Sequence, residues 1–385
     1  MKKAKPVLWK SPTAQQTQFQ IAAGLAIKIA IDHEGWYRVT QPQLVAAGLN
    51  PSVNPNTLQL FAEGVEQPIQ VTGSHDGFGG FGPQAAIQFY GTGIDTSFSS
   101  QRIYWLVSGN QNGTRIRYAV VSHSGQQSQS FPQTVELQEK TTFFAALLRT
   151  DTDHFFGALV SSTPVDQVLT TPDLAPTGDA GKLEIVLQGG RDQIVHDVTV
   201  TFNGTSLGDM QFSNEDEGTA DFTIPYDLLQ QGSDTVTLTS QNGEEDLSLV
   251  DHITLTYPRS YTAESDTLKF TAQGGDFVTV QNFQQTPTQV LDITNPGAPL
   301  ELPFRVRRQS GNIALDVNVA GFQSVTHQIL ALTDDQIGQP ASITANQPSN
   351  LHSAQSGDDL VMISAPDFLS QMAPLVQLRE SQGHS

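Results

Sequence analysis

Val198-Thr199-Val200-Thr201-Phe202-Asn203-Gly204 decides the fold class. Val198, Val200 and Phe202 fall on every second position, so a strand buries them on one face and leaves Thr199 and Thr201 on the other. Asn203-Gly204 then stops the alternation with a pair that tolerates positive φ at both turn positions, a strong hairpin signal. The same grammar spreads outward. Leu183-Glu184-Ile185-Val186-Leu187, Thr235-Val236-Thr237-Leu238 and His252-Ile253-Thr254-Leu255-Thr256-Tyr257 read as strands. Gly189-Gly190, Gly232 and Asn242-Gly243 punctuate them at roughly ten-residue intervals. Short strands at that spacing predict an antiparallel β-sandwich of jelly-roll type over residues 131–258.

Upstream, residues 1–24 are polar and read as an irregular lead-in. Residues 25–130 read as an N-terminal β-rich domain with one short helix. Ile27-Lys28-Ile29-Ala30-Ile31 alternates, Asp32-His33-Glu34-Gly35 reads as a turn, and Trp36-Tyr37-Arg38-Val39 as the returning strand, which predicts a hairpin. Thr40 as N-cap, Pro42 in the first turn and Gly48 as a stop predict a helix through Leu44-Val45-Ala46-Ala47. Further strands are predicted at Leu58-Gln59-Leu60-Phe61, Ile69-Gln70-Val71, Ile87-Gln88-Phe89-Tyr90 and Arg102-Ile103-Tyr104-Trp105-Leu106-Val107, with Asn112-Gly113 as another hairpin signal.

Downstream, residues 259–345 continue the β pattern through Phe277-Val278-Thr279-Val280 and Ala314-Leu315-Asp316-Val317. They are expected to pack between the sandwich and the α/β segment at the end of the chain. Residues 346–358 read as a polar linker. In residues 359–385 the grammar changes. Leu360-Val361-Met362-Ile363 is a continuous apolar run, the kind of strand buried in a parallel sheet. A helix begun by Pro366 then carries Phe368, Leu369, Leu375 and Leu378. This is the first β-α unit of a truncated α/β domain. A lone unit cannot cover its own apolar faces, so these residues are expected to stand exposed.

The 385 residues carry 19 Lys and Arg against 39 Asp and Glu, a net charge of −20. Hydrophobic residues make up 37%, enough for packed cores, and the length implies two or three of them. The only dense basic group is Arg305, Arg307 and Arg308, so nucleic acid and anionic membrane are poor partners. There is no cysteine, which excludes disulfides, thiolate metal sites and a cysteine nucleophile within these residues. No run approaches the roughly 20 apolar residues of a membrane span. Lys2, Lys3 and Lys5 have no apolar stretch behind them and do not make a signal peptide.

No position earns a catalytic, cofactor-binding or metal role. Gly77-x-Gly79-Gly80-x-Gly82 looks like a phosphate loop but lacks the following Lys-Ser/Thr and the surrounding βαβ pattern, so it reads as a β-loop. Asp76 beside it, and the acidic runs Asn214-Glu215-Asp216-Glu217 and Glu244-Glu245-Asp246, offer oxygens that suit calcium. Their plainer reading is solvated loops. The nine histidines form no HExxH pair, and no Gly-x-Ser-x-Gly elbow occurs. Trp36, Tyr104 and Trp105 could stack on a sugar, but aromatic residues in alternating strands read more simply as core. Trp105 is expected to be a core residue: the strand alternates, with Tyr104 out and Trp105 in or the reverse, so one of the two must face inward.

Several segments, in order, resemble the non-catalytic N-terminal region of gingipain-type cysteine peptidases, a family that includes the sortase-like peptidase of type IX secretion. They are Asp32-His33-Glu34-Gly35-Trp36-Tyr37-Arg38-Val39-Thr40, Ile87-Gln88-Phe89-Tyr90-Gly91, Phe155-Phe156-Gly157, Tyr257-Pro258-Arg259 and Asp359-Leu360-Val361-Met362-Ile363-Ser364-Ala365-Pro366-Asp367-Phe368. The last resembles the start of the family's caspase-like domain. Around Gln84-Ala85 the family often has Gly-Asp, so the resemblance lends no calcium ligand there. It implies an accessory or pro-region whose parent cleaves peptides with a Cys-His dyad beyond residue 385, the thiolate attacking the carbonyl. It also implies a bacterial, extracellular or cell-surface setting. The implied partners are the peptidase domain itself, protein substrate or cell-surface components. The alternative reading is a binding module for glycan or cell-surface protein.

Overall fold

The computed structural model describes residues 13–73, 80–96, 99–121, 125–147, 154–309, 312–349 and 359–384. Period-two alternation becomes strand almost everywhere it occurs, giving 49% strand and 12% helix among the described residues, a mainly β protein of antiparallel sheets. Two units form, one from residues 1–115 with 338–385, the other from residues 116–337.

In the first unit a five-stranded sheet runs in the order Ser342–Ala345, Ile27–Ile31, Arg102–Ser108, Leu58–Ala62, Val65–Gln67. A three-stranded sheet runs Gly35–Thr40, Ala86–Gly91, Gln70–Thr72. Ile29, Ile31, Tyr37, Leu60, Phe89 and Tyr104 meet in their common core. The expected hairpin between Ile27–Ile31 and the strand after it does not form. Ile27–Ile31 pairs with Arg102–Ser108 and Ser342–Ala345, while Gly35–Thr40 pairs with Ala86–Gly91 in the other sheet. Two causes act together. Ile29, Ala30 and Ile31 are all buried, so the strand needs cover on both faces. Asp32-His33-Glu34-Gly35 also contains no residue at positive φ, which a tight two-residue hairpin requires.

Asn112-Gly113 makes no hairpin either. The Gly113 N–H donates to Asn56 O at 2.9 Å, and a Cβ there would sit 2.0 Å from Leu58 O. The glycine serves a close backbone approach. The helix spans Gln41–Ala46, and Gly48 follows at φ 101° as expected. A second helix, Ala14–Ala22, occupies part of the stretch expected to be irregular. Its signal is Thr13-x-x-Gln16, a capping box in which the Thr13 hydroxyl accepts from Gln16 N and the Gln16 side chain accepts from Thr13 N.

In the second unit the sandwich has one sheet ordered Leu159–Val160, Ser248–Ser260, Gly181–Gly189, Glu217–Ile224, with Ser130–Leu137 also pairing on Ser248–Ser260. The facing sheet is Val165–Thr171, Gly232–Ser240, Val195–Phe202, Thr205–Ser213. Val198, Val200 and Phe202 enter the core beside Leu183, Ile185 and Leu255. Asn203 and Gly204 take φ 47° and 80°, and the hairpin to Thr205–Ser213 forms as expected. A second pair of sheets comes next. One is Thr267–Gln273, Thr326–Thr333, Pro287–Asp292, Leu300–Glu301, Arg117–Tyr118. The other is Phe277–Phe283, Asn312–Asn318, Phe304–Gln309. Phe131, Tyr261, Phe270, Val280, Leu315 and Ile329 fill the core between them.

Leu360-Val361-Met362-Ile363 is not a strand. It has no ladder partners, with Val361 74% and Ile363 92% exposed. An apolar strand of this kind is made by neighbours on both edges, and none of the described residues supplies one. The helix does form, as a 3-10 turn Pro366–Phe368 and an α-helix Leu369–Ser381 with no buried residue.

Tyr104, and not Trp105 as expected, is the inward residue of its pair. It is 2% exposed, packs on Phe89 at 5.2 Å between ring centroids, and its hydroxyl accepts from Thr92 N at 2.9 Å. Trp105 lies on the other face, half-buried, with Lys28 Nζ 5.0 Å from its ring centroid. Tyr104→Ala is expected to cost about 3–5 kcal/mol in urea unfolding and Trp105→Ala about 1 kcal/mol. A larger loss at Trp105 would contradict this packing.

Candidate functional site

Asp76, His75, Gly77 and Gly79 lie outside the described residues; Gly82 is in a turn whose carbonyl accepts from Ala85 N at 2.9 Å. Trp36 and Tyr104 are core residues, and Trp36 Nε1 donates to the buried Gln88 Oε1 at 2.8 Å. No aromatic platform forms from them.

The two acidic runs meet at one end of the sandwich. Asp216, Glu217, Glu244 and Glu245 are exposed there. Asp246 instead turns inward to His196, and the pair is 1% and 0% exposed. His196 Nδ1 lies 2.6 Å from Asp246 Oδ1 and Nε2 lies 2.9 Å from Asn214 O. Both partners are acceptors, so both ring nitrogens are placed to donate. The ring stacks on Phe212 at 4.7 Å. Burial pushes the Asp246 carboxyl up, but the Ser240 hydroxyl, the Asp197 N–H at 3.1 Å and His196 together outweigh burial and hold it below the ordinary carboxylate range. Among the described residues no three His, Asp or Glu side chains are placed to hold a metal ion.

Another His–Asp pair, His327 Nδ1 to Asp292 Oδ2 at 2.7 Å, has its Nε2 buried without a hydrogen-bond partner. In a hydrolase triad Nε2 meets a nucleophile's hydroxyl. His196 offers it to a carbonyl and His327 to nothing, so both pairs hold structure together.

Charge gathers differently on the second pair of sheets. Arg307 grips Asp316 with two nitrogens, Nε to Oδ2 at 2.6 Å and a guanidinium N–H to Oδ1 at 2.8 Å. The Thr279 hydroxyl donates to the same Oδ1 at 2.8 Å. A cleft of about 650 Å³ opens beside them, bounded by Asp173, Asn282 and Arg307. A further cleft of about 320 Å³ has Val121, Phe277, Pro303 and Phe304 along its wall and Arg305 at its rim. Nearby, Arg259 is nearly buried between Asp173 at 3.2 Å and Glu264 at 2.5 Å. These clefts can bind a charged or polar group. The basic group Arg305, Arg307 and Arg308 was visible in the sequence. Asp316 and Thr279 were not, because only the register Arg305↔Asp316 and Thr279↔Asp316 brings them opposite.

No protein-family model matches the chain, and no curated protein matches it. Solved structures do. A dimeric latent PorU from Porphyromonas gingivalis matches with TM-score 0.66 at 14% identity, over 95% of this chain and 37% of that one. The chain thus spans little more than a third of that protein, and at this identity the likeness is one of fold. The CBM36-1 domain of a multidomain xylanase from the hindgut metagenome of Trinervitermes trinervoides matches 32% of this chain and 96% of its own, with TM-score 0.23 at 12% identity. A family 35 carbohydrate-binding module from an environmental isolate matches 37% of this chain and 98% of its own, with TM-score 0.20 at 14% identity. The chain is a mainly β protein of antiparallel sheets that shares the fold of part of PorU.

The depressed Asp246 carboxyl fixes a pH signature. A carboxyl held low in the folded state adds stability that is present above the unfolded value of about 3.9 and is lost as pH falls through the folded one. Asp246→Asn is expected to lower the urea midpoint at neutral pH and to flatten its fall below about pH 4. Parallel wild-type and variant curves from neutral to acid pH would refute this.

Proposed function

We propose that this chain is the accessory, non-catalytic region of a secreted gingipain-type cysteine peptidase and that it docks on the peptidase domain. The fold shared with PorU over 95% of the chain is the observation that carries the reading. The ordered motifs from Asp32-His33-Glu34-Gly35-Trp36-Tyr37 to Asp359-Leu360-Val361 support it. In this reading the peptidase domain supplies the thiolate that attacks the peptide carbonyl and the His that moves its proton. This chain, without a cysteine, supplies neither and acts by contact.

Residues 359–384, which resemble the first strand and helix of that domain, carry apolar surface on which the rest of it would pack. Val361, Ile363, Phe368, Leu369 and Leu378 are exposed, more apolar surface than a segment facing water normally shows. Covering such side chains contributes about 25 cal/mol for each Å² removed from water. A second reading, a module for glycan or cell-surface protein, is favoured by one feature. The exposed rings of Phe143 and Phe155 lie 5.1 Å apart across the strands Thr142–Phe143 and Phe155–Phe156.

Calorimetric titration of the chain into a gingipain-type peptidase domain tests the first reading. Binding is expected, and Phe368→Asp with Leu378→Asp should weaken it at least about tenfold with the melting temperature unchanged. An absence of binding, or binding indifferent to both substitutions, would overturn it. Retention on a glycan array that Phe143→Ala abolishes would then select the second.

A further inference from the structure

We infer that the open edge of strand Phe304–Gln309 is a docking site for an acidic, extended segment of a partner protein, taken up as an added strand. The inference is independent of the peptidase reading. In its three-stranded sheet this strand is the outermost, and among the described residues it pairs only with Asn312–Asn318. The opposite edge of the sheet is covered. Gln127 bridges Phe277 and Thr262 bridges Gln281, with Phe277 N donating to Gln126 O at 2.8 Å and Gln281 N to Tyr261 O at 2.9 Å. An antiparallel edge strand turns alternate N–H and C=O groups away from its sheet, and these are a template for another strand.

The charge selects the occupant. Phe304–Gln309 carries three arginines in six residues, in a chain with twice as many acids as bases. Arg307 is taken by Asp316, and Arg308 donates to Thr286 Oγ1 at 2.6 Å. Arg305 is exposed and has no ion-pair or hydrogen-bond partner among the described residues. It stands opposite Asp316 in register, but that carboxylate is already gripped by Arg307 and Thr279. The edge strands of the first sandwich, Val165–Thr171 and Thr205–Ser213, carry Asp166 and Asp209 and no basic residue. The basic edge is therefore a local feature.

Charged residues on an edge ordinarily keep strands apart, and these arginines do so against a neutral edge, a basic edge or the same edge of a second copy. Against an acidic strand the sign reverses, so the row that excludes other occupants favours this one. The cleft of about 320 Å³ at the Arg305 end, walled by Val121, Phe277 and Phe304, adds a place for one apolar side chain of the incoming segment.

The test uses the whole chain and fluorescence anisotropy at low salt. The probe is an end-blocked peptide of about eight residues in which Glu alternates with Thr and Val and one end carries Leu. One control replaces Glu by Lys; the other keeps every Glu but sets proline at alternate positions, which removes the ladder donors. The acidic probe is expected to bind at least about tenfold more tightly than either control. Arg305→Glu with Arg308→Glu should weaken it by a similar factor without moving the melting temperature, since both side chains are exposed. Amide exchange in residues 304–309 should slow when the probe is bound. No binding of the acidic probe overturns the inference. So does equal binding of the proline control, which would reduce the patch to charge attraction, and so does retention of a sulfated polysaccharide with no peptide bound.

Discussion

The backbone of one strand governs the second unit. Ser248–Ser260 is 13 residues long, and each buried N–H and C=O along it needs a partner. Gly181–Gly189 serves its first part and Ser130–Leu137 its second, with residues 253–256 paired on both sides. Ile253, Leu255 and Tyr257 point into the sandwich core, and Tyr257 donates its hydroxyl to Pro172 O at 2.8 Å. A few residues on, Phe131 pairs opposite Arg259 and packs with Tyr261 in the next core. One continuous ladder thus ends one core and begins the other. Burial pushes the Tyr257 and Tyr261 hydroxyls up to about 12, so both stay neutral donors where the cores meet.

The first unit obeys a different constraint, close approach. Tyr37 lies fully buried, donates to His33 O at 2.9 Å, and has Gly91 and Gly338 against its ring, where added Cβ atoms would come within 2.9 Å and 3.1 Å. Gly338 N donates to Trp36 O at 2.8 Å as the chain returns from the second unit. Ser342–Ala345 then completes the five-stranded sheet, and the Asn346 side chain donates to Ala22 O and Gly24 O.

Local rules made much of this legible. The hairpin at Asn203-Gly204 and the helix before Gly48 follow from periodicity and turn chemistry, whereas alternation says only that one of Tyr104 and Trp105 turns inward and does not choose between them. Pairings set by distant residues did not show. Ile27–Ile31 looks like half of a hairpin until residues 342–345 arrive from across the sequence to cover its second edge. Leu360–Ile363 has the composition of a buried strand, but composition supplies no ladder partner. The helix Ala14–Ala22 was missed although Thr13 and Gln16 announce it. For the candidate site, the arginines of Phe304–Gln309 were visible as a cluster. Their placement on an open edge, with Asp316 satisfying one and not the other, is a product of register.

A basic edge on an otherwise acidic chain, and apolar surface along residues 359–384, are the two features by which the fold would meet other molecules. The first depends on the second unit being held as described, and the strand Ser248–Ser260 is the element on which that unit turns. Native-state amide exchange across residues 248–260, followed in rising denaturant, tests this most directly. The shared-strand account predicts that the ladder amides from Ile253 to Arg259 open together, with the free energy of unfolding residues 116–337. Separate opening before and after Tyr257, at two different free energies, would show two independent cores and contradict it.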